Sequence, residues 1–382
     1  MRLRRRPAAD RRDRLPDDEP DLPLLTPRVV TAAVASGVAF VLALAMVLIS
    51  PPYAIQSPGP TIDTLGEVED VPLITIEGTE TFPPEGELRL TTVSTRGGPG
   101  YPATTAQVVR GWLSSTTTVV PREVAFDPDQ TQDEVSRESN LQMSSSQVNA
   151  SVAALTALGQ DVPTELWVAG TAPHGASAGV LEEGDRLRWI ADGPDAEPVE
   201  LTSFAVLSTE LAGTPPASEV VLGVQRGGEE LELAVVTSDD GDGGSLLGVY
   251  IEPEVDLPID VEFAIENIGG PSAGLMLALG IVDLLTPGDL SGGEVVAGTG
   301  TIDLAGDVGP IGGVQQKMAG AVRDGASWFL APVENCDEVV GAVPGGLEVV
   351  AVDTLEDAVS SLEQIAADQT SDLPRCPSPD RN

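Results

Sequence analysis

The chain has 382 residues, of which 41% are hydrophobic and only 3% aromatic, so Ala, Val and Leu must fill the cores of two or three domains. Its formal net charge is −40; residues 1–28 contain eight arginines and six acidic residues, so the rest of the chain carries −42. This balance excludes nucleic acid as a partner, because binding phosphates needs clustered Lys and Arg, and it favours an extracytoplasmic body kept dispersed by self-repulsion.

The first predicted element is a membrane-spanning helix over residues 29–49. VVTAAVASGVAFVLALAMVLI has 21 uncharged residues, close to the ~20 that cross a bilayer as a helix. Arginines crowd the preceding tail, residues 1–28, so the positive-inside rule keeps that end in the cytoplasm and places the rest outside. A cleaved signal peptide is the alternative, but its apolar region is usually only about 7 to 15 residues long. We therefore expect a retained, single-pass anchor in the cell membrane.

Residues 50–145 are expected to form an extracytoplasmic stem with strands and helices. The connector PPYAIQSPGP cannot continue the helix, since proline lacks the backbone N–H. ELRLTTVS at 87–94 has strand character, STTTVVP is a strand or a loop, and residues 130–159 favour a helix over at least their second half. These strands are candidates to join the sheet of a later domain, with another domain inserted between.

Residues 146–252 are expected to form a β-rich domain. ELWVAGTAPHGASAGVLEEGDRLRWIADG predicts a strand, a turn, a strand and a tight turn. SFAVLSTELAG at 203–213 then predicts a helix, and residues 218–236 predict a hairpin that turns at a Gly-Gly pair.

This segment resembles the signature of bacterial PDZ domains. The signature consists of Ala178-Gly179-Val180 followed by Gly184-Asp185-Arg186-Leu187. The resemblance implies that the domain captures chain ends or strands by β-addition. A rigid spacer that binds nothing is the alternative.

The next segment, VEFAIENIGGPSAGLMLALGIVDLLTPG, predicts a strand, a turn and an apolar helix that starts at Ser272. A helix N-terminus favours developing negative charge and so suits a nucleophile, although serine is also favoured there without catalysis. GPSAG also fits the nucleophile elbow of α/β-hydrolases, which requires a histidine later in the chain. The only histidine, His174, lies about a hundred residues earlier, so we interpret it as an exposed loop residue.

Without histidine the serine needs another base, and the chain contains a single lysine, Lys317. In GVQQKMAGAVRDG, the residues Val314, Lys317, Met318 and Ala321 have the i, i+3, i+4, i+7 spacing of one apolar helix face. Desolvation there lowers the pKa of the amine, as a general base requires, whereas arginine stays protonated. The alternative is a lysine that only snorkels from an apolar face.

These segments closely resemble the proteolytic domain of Lon-type serine proteases. The similarity covers about residues 258–360 and lies in GGPSAGLMLALGIVDLLTPGDLSGG, TGTIDLAGDVGPIGGVQQKMAGAVRDGA and FLAPVEN. It implies a Ser-Lys dyad in which Ser272 is the nucleophile, Lys317 is the general base and Thr299 holds the amine. Supporting residues are Gly269, Gly270 and Pro271, in the turn whose N–H groups would hold the oxyanion. With the anchor and the PDZ signature, the chain resembles the membrane-anchored, PDZ-containing Lon-like proteases of bacteria.

The predicted fold class is α+β, with an N-terminal transmembrane helix, a PDZ-like β-rich domain and a Lon-type proteolytic α/β domain at 253–365, followed by a tail at 366–382. Cys336 and Cys376 lie in the part expected outside the cell, where a disulfide between them would tie the tail to the body. Two cysteines and one distant histidine do not make a zinc site, so no metal or other cofactor is expected.

The implied activity is ATP-independent hydrolysis of unfolded or flexible extracytoplasmic proteins. A P-loop needs lysine followed by Ser or Thr, whereas the only lysine is followed by Met318, so no ATP is expected. An acidic residue common before GPSAG in ATP-dependent Lon proteases is replaced by Asn267-Ile268-Gly269-Gly270, so no carboxylate role is transferred. A homo-oligomer is implied by the resemblance alone. The alternative function is a catalytically silent, membrane-tethered PDZ adaptor.

Overall fold

The computed structural model describes residues 26–127, 130–172, 175–194, 196–239, 244–265 and 268–377. Helix α1 spans Pro27–Leu48 and begins at Thr26, whose hydroxyl accepts the N–H of Val29, with proline at the first helical position. Its 22 residues extend ~33 Å, enough for the hydrocarbon core of a bilayer. It has a mean hydropathy of 2.3 and no buried residue, as a membrane anchor or a signal sequence would have. The arginine-rich tail lies outside the described residues.

Six strands and three helices follow α1 before the β-rich unit. The strands are β1 (Tyr53–Asp63), β2 (Glu67–Val68), β3 (Val71–Pro72), β4 (Ile74–Glu77), β5 (Glu87–Arg96) and β6 (Thr118–Pro121). The helices are α2 (Thr105–Trp112), α3 (Arg122–Ala125) and α4 (Gln132–Ala157). Capping boxes at Thr104 and Thr131 start α2 and α4. The strand predicted at 87–94 and the helix predicted within 130–159 are confirmed as β5 and α4.

The β-rich unit is an antiparallel sheet with one helix. Its strands are β7 (Thr164–Thr171), β8 (Arg186–Ala191), β9 (Val199–Glu200), β10 (Glu219–Arg226), β11 (Glu229–Val236), β12 (Ser238–Asp239), β13 (Ser245–Leu246) and β14 (Val249–Val255). Helix α5 spans Phe204–Gly213. The strands run β11-β10-β8-β7-β14, and β9 pairs with β8. The predicted helix at 203–213 and hairpin at 218–236 are confirmed.

A buried ion pair fixes the Gly-Asp turn of the PDZ-like signature. Asp185 has a fully buried side chain that accepts the Arg226 Nε at 2.6 Å, the Arg226 Nη2 at 2.7 Å and the Glu182 N–H at 2.9 Å. Burial alone would raise the pKa of this carboxyl, but the bonds from Arg226 and Glu182 bring it below its usual value. The turn before β8 is thereby locked to the end of β10.

The elements after the β-rich unit join those before it in an α/β unit. The later strands are β15 (Asp260–Phe263), β16 (Val295–Gly298), β17 (Thr301–Ile302), β18 (Val308–Gly309), β19 (Trp328–Pro332) and β20 (Glu348–Val352). The later helices are α6 (Gly274–Leu285), α7 (Val314–Arg323), α8 (Cys336–Val339) and α9 (Leu355–Ala366), with short 3-10 turns at Val333–Asn335 and Thr370–Asp372.

One six-stranded sheet joins segments that lie on both sides of the β-rich unit. Its order is β20-β19-β16-β5-β1-β6, in which β5, β16, β19 and β20 are parallel and β1 is antiparallel to both neighbours. Strand β4 likewise pairs with β15. The chain therefore builds half of this sheet before the β-rich unit and half after it.

The β-rich unit leaves and rejoins the rest of the chain at one point. Thr164 pairs with Val255, and the N–H of Asp256 donates to the Pro163 carbonyl at 3.1 Å. The expected boundary at residue 146 falls inside α4, because the buried face of α4, including Ala150 and Ala154, packs in the same core as α6. The expected boundary at 252 falls inside β14.

Helix α6 lies at the centre of this core. Its sequence, GLMLALGIVDLL, is apolar on all sides, and such a helix is stable only when it is surrounded. Leu275, Met276 and Leu279 are fully buried together with Leu88 and Leu90 of β5. The mixed α+β fold class is confirmed, and α6 packs in the same core as β5.

Candidate active site

Ser272 lies in the turn immediately before α6, two residues ahead of the first helical residue. Its carbonyl accepts the Thr299 hydroxyl at 3.0 Å and the Gly300 N–H at 3.1 Å. The Leu275 N–H in turn donates to the Gly300 carbonyl at 3.2 Å. These bonds fix the serine backbone against the segment that follows β16, so the position of its hydroxyl is defined.

The glycines before Ser272 let the turn approach α4 closely. A Cβ on Gly269 would lie 1.9 Å from the Ser139 hydroxyl, so only glycine fits. Gly270, at φ +89°, donates its N–H to the Ser139 carbonyl at 2.9 Å, and the Ser146 hydroxyl donates to the Pro271 carbonyl at 3.0 Å. Ser139 and Ser146 were not among the predicted site residues, because their contacts depend on how α4 packs.

Lys317 lies on α7 with 2% of its surface exposed, and its amine contacts three oxygens. The face predicted from the helical spacing is confirmed, since Val314, Lys317, Met318 and Ala321 are all buried. The Lys317 Nζ lies 2.7 Å from the Ser272 Oγ, 2.8 Å from the Thr299 Oγ1 and 3.2 Å from the Thr91 carbonyl. The structure thus brings Ser272, Lys317 and Thr299 together.

Burial sets the protonation of this amine. Desolvation lowers the pKa of Lys317 from 10.5 to about 7, because the ammonium loses water that the protein does not replace with a charge. Near neutral pH, Lys317 is therefore a neutral amine in a large fraction of the protein molecules, and a neutral amine carries a lone pair that can accept a proton.

The hydrogen bonds determine where that lone pair points. The Thr299 hydroxyl donates its proton to the Ser272 carbonyl, so its oxygen accepts from Lys317, and the Thr91 carbonyl can only accept. A neutral amine has two N–H groups, and these two acceptors use both. The lone pair is then left for the Ser272 hydroxyl, which donates to it.

Thr91 was missed by the sequence analysis, although its carbonyl is one of the three contacts of the amine. It lies on β5 just past Leu90, the last residue paired with β16. Its hydroxyl donates to the Gly298 carbonyl at 2.9 Å, which joins the two strands at the point where they separate. A backbone carbonyl leaves no signal in the side-chain pattern, so only the sheet topology reveals it.

A cavity of about 510 Å³ opens at Ser272 and Lys317. One wall is residues 91–96 of β5, and the other includes Met143, Ile268 and Gly269. A second cavity, about 780 Å³, lies beyond Pro271 against the first turns of α4. The reactive pair therefore lies at the floor of an open groove.

The other predicted site residues lie elsewhere. The Cys336 and Cys376 sulfurs are 2.03 Å apart and form a disulfide, with the Cα atoms 5.1 Å apart, which joins the start of α8 to the C-terminal segment. His174 and Asn267 fall outside the described residues. Among the residues that are described, no group of three or more His, Cys, Asp or Glu is arranged to hold a metal ion.

Comparison with known proteins finds a family model that matches the segment containing Ser272 and Lys317. Residues 255–364 match the family model of the Lon protease (S16) C-terminal proteolytic domain. The chain is 30% identical over 136 residues to a Lon protease of Campylobacter concisus, a match that covers 35% of this chain and 17% of that protein. It is 29% identical over 195 residues to Lon protease 2 of Bacillus subtilis, covering 51% of this chain and 32% of that protein. The chain thus matches only a minor part of these relatives.

Among solved structures, the chain matches the PDZ domain of an SdrC-like protein from Listeria monocytogenes. The identity is 17% and the TM-score 0.20, with 22% of this chain and 85% of that domain covered. The PDZ domain of an SdrC-like protein from Listeria innocua matches at 19% identity and a TM-score of 0.20, with 23% and 93% covered.

Proposed function

We propose that this protein, whose residues 255–364 match the Lon proteolytic domain, is a serine endopeptidase that hydrolyses peptide bonds with a Ser272–Lys317 dyad. The observation that carries the proposal is the 2.7 Å contact between the Lys317 Nζ and the Ser272 Oγ. The family match supports serine peptidase chemistry in the same segment. The Thr299 hydroxyl and the Thr91 carbonyl accept the two N–H groups of the neutral amine, which supports proton transfer from the Ser272 hydroxyl to Lys317.

The mechanism follows from that contact. Lys317 accepts the Ser272 proton while the Oγ attacks the substrate carbonyl carbon and forms a tetrahedral intermediate. The ammonium then donates this proton to the departing amine, which leaves an acyl-enzyme and a neutral lysine. Water enters, gives its proton to Lys317 and attacks the ester, and the proton returns to Ser272 as the acid product departs.

The oxyanion requires N–H donors near Ser272, and the hydrogen bonds of the turn limit which residues can donate. Gly270 donates its N–H to the Ser139 carbonyl and Pro271 has none, so neither supplies a donor. Within the turn the candidates are the N–H groups of Gly269 and Ser272, ahead of the N-terminus of α6. We expected the whole turn to contribute, and the Ser139 contact removes Gly270 from that set.

The groove supports an extended substrate. Strand β16 leaves β5 after Leu90, so residues 91–96 line the cavity with strand geometry on the side that faces the dyad. A peptide laid along this stretch as a further strand would pass over Ser272. Only an unfolded or flexible chain can adopt this form, which fits a peptidase that acts without ATP.

The remaining parts of the chain give the enzyme a location and a way to select substrates. In this proposal α1 is a retained anchor with the N-terminus in the cytoplasm, and the PDZ-like unit binds or positions substrate ends outside the membrane. The Cys336–Cys376 disulfide and the charge of −42 after residue 28 support an oxidising, extracytoplasmic setting.

The test uses the full chain in detergent with an unfolded protein such as casein, and mass spectrometry of the products. Ser272→Ala and Lys317→Arg should each lower the rate by roughly 10³-fold or more, because one removes the nucleophile and the other leaves a base that stays protonated. Far-UV and near-UV circular dichroism confirm that each variant is folded. An unchanged rate in either variant would refute the dyad.

A fluorophosphonate probe separates the peptidase from a silent PDZ adaptor. The wild type should be labelled at Ser272, and Ser272→Ala should not. A folded wild type that is neither labelled nor cleaves casein, yet still binds peptides, would be the adaptor.

A further inference from the structure

Four exposed apolar side chains lie on elements next to the end of α1, at the β6 edge of the six-stranded sheet and opposite β20, and together they are called the patch. Its members are Trp112 (60% exposed), Leu113 (84%), Val124 (71%) and Tyr101 (40%). They come from α2, the residue after it, α3 and the loop before α2. In a chain with 3% aromatic residues, two exposed aromatic side chains on neighbouring elements point to a partner.

The segment that leaves α1 is bonded to the elements that carry this patch. The Ile49 carbonyl accepts both the N–H and the hydroxyl of Thr105, each at 2.9 Å, at the first residue of α2. The Tyr53 ring packs edge-on against the Trp112 ring at 5.7 Å, at the last residue of α2. The Pro52 carbonyl accepts the Arg122 N–H at 3.0 Å, at the start of α3. Both ends of α2 and the start of α3 are thus tied to the five residues after α1.

This bonding limits how far the patch can lie from the membrane. Tyr53 is five residues beyond the end of α1, so it lies at most ~18 Å from that end. The connector turns, because the Tyr53 N–H donates to the Pro51 carbonyl at 2.8 Å. The headgroup region begins where the ~30 Å hydrocarbon core ends, and α1 is ~33 Å long. Trp and Tyr are the side chains that favour this interface, because their rings are apolar and their N–H or O–H remains hydrated.

Two arginines on the elements that carry the patch support lipid as the partner. The chain after residue 28 carries −42, which repels anionic headgroups, yet the basic residues Arg110 and Arg122 flank the patch on α2 and α3. An arginine next to the interface binds lipid phosphate while its stem lies on the apolar surface. We infer that the patch formed by Tyr101, Trp112, Leu113 and Val124 is a membrane-docking surface that seats the extracytoplasmic body on the headgroups of the membrane that holds α1.

This inference rests on the proposed anchoring by α1 and is independent of the peptidase chemistry. It gives the patch a specific role, because docking adds a second attachment that orients the body on the bilayer. Strand β6, next to the patch, contacts α7 through the Gln316 Nε2 and the Thr118 hydroxyl at 2.7 Å. The height of the groove above the bilayer would then be fixed through the same sheet.

The experiment uses the full chain in single-copy nanodiscs of phosphatidylcholine and phosphatidylglycerol, with or without bromine at carbons 6 and 7 of the acyl chain. The chain has four tryptophans, so quenching is measured for wild type and for Trp112→Phe. Bromolipid should quench part of the wild-type emission, and Trp112→Phe should lose that quenched part. Val343→Trp in the Trp112→Phe background is the matched control. Val343 is 41% exposed in the loop before β20, and β20 lies five strand spacings, roughly 24 Å, from β6 beside the patch. The emission of this control should not be quenched.

Three outcomes decide the question. Quenching that Trp112→Phe abolishes and Val343→Trp does not restore supports docking. Equal emission with and without bromine, while the protein resists alkaline extraction, overturns docking and leaves the anchor standing. In that case, blue-shifted Trp112 emission would show that another part of the same chain covers the patch. Release of the protein by alkaline extraction refutes the anchor itself, and casein hydrolysis in detergent reports the peptidase separately from both.

Discussion

The pH dependence of kcat/KM should report the unusual protonation of Lys317. Its pKa of about 7 means that about a tenth of the side chains are neutral at pH 6, half at pH 7 and about nine tenths at pH 8. We expect kcat/KM to rise about tenfold between pH 6 and pH 8 and to level off above that. A lysine at its usual 10.5 would give a rise of about a hundredfold over the same range and no plateau below pH 10.

The assay is the initial rate of cleavage of an internally quenched peptide without titratable side chains, at concentrations well below KM, so that the free enzyme is measured. Circular dichroism at each pH shows that the fold persists. Asp283→Asn is the control, because burial raises the pKa of Asp283 to about 6 while the residue lies at the far end of α6 from Ser272. A rate that is flat from pH 6 to 9, or that still climbs at pH 9.5, would refute the assignment of Lys317 as a desolvated base.

Three further variants test the site and the core. Thr299→Val removes an acceptor of the amine, so kcat/KM should fall by about 10- to 100-fold, while Thr299→Ser should retain most of the activity in the same assay. Gly269→Ala must push the turn away from α4, so it should lower kcat at least tenfold, whereas Gly345→Ala, whose Cβ meets nothing within 4 Å, should not. Burial raises the pKa of Asp283 to about 6, so the stability that the protonated side chain contributes at low pH is lost as pH rises from about 4 to 6. Asp283→Asn cannot ionise, so it should raise the free energy of unfolding above pH 6 by up to about 3 kcal/mol and leave it unchanged near pH 3, as measured by urea unfolding.

Local patterns predicted the elements that depend on local sequence. The buried face of α7, the helix at 203–213 and the hairpin at 218–236 follow from residue spacing and turn residues, and all three are present. Ser272 and Lys317 were selected because the chain has one lysine and a histidine in the wrong order for a hydrolase triad. Such elements can be predicted without knowing which residues they pack against.

Contacts between distant segments could not be predicted in the same way. The parallel pairing of β5 with β16 joins strands separated by the whole β-rich unit, and the strand character of 87–94 does not specify its partner. The Thr91 carbonyl contacts the amine only because of that pairing. Similarly, Ser139 looks like an ordinary polar helix residue, yet its carbonyl takes the Gly270 N–H that we had expected to serve the oxyanion.

Lys317 can act as a base only because its amine is buried in the fold. Its pKa is low because the side chain is buried, on the same face of α7 as Val314, Met318 and Ala321, and because its partners among the described residues are neutral oxygens. A nearby carboxylate would stabilise the ammonium and return the pKa toward 10.5. Within the part of the chain that the structure describes, the two side-chain partners of this amine are hydroxyls and its third partner is a peptide carbonyl. Arginine could fill the same space but could never release its proton, so a neutral base at this position requires lysine.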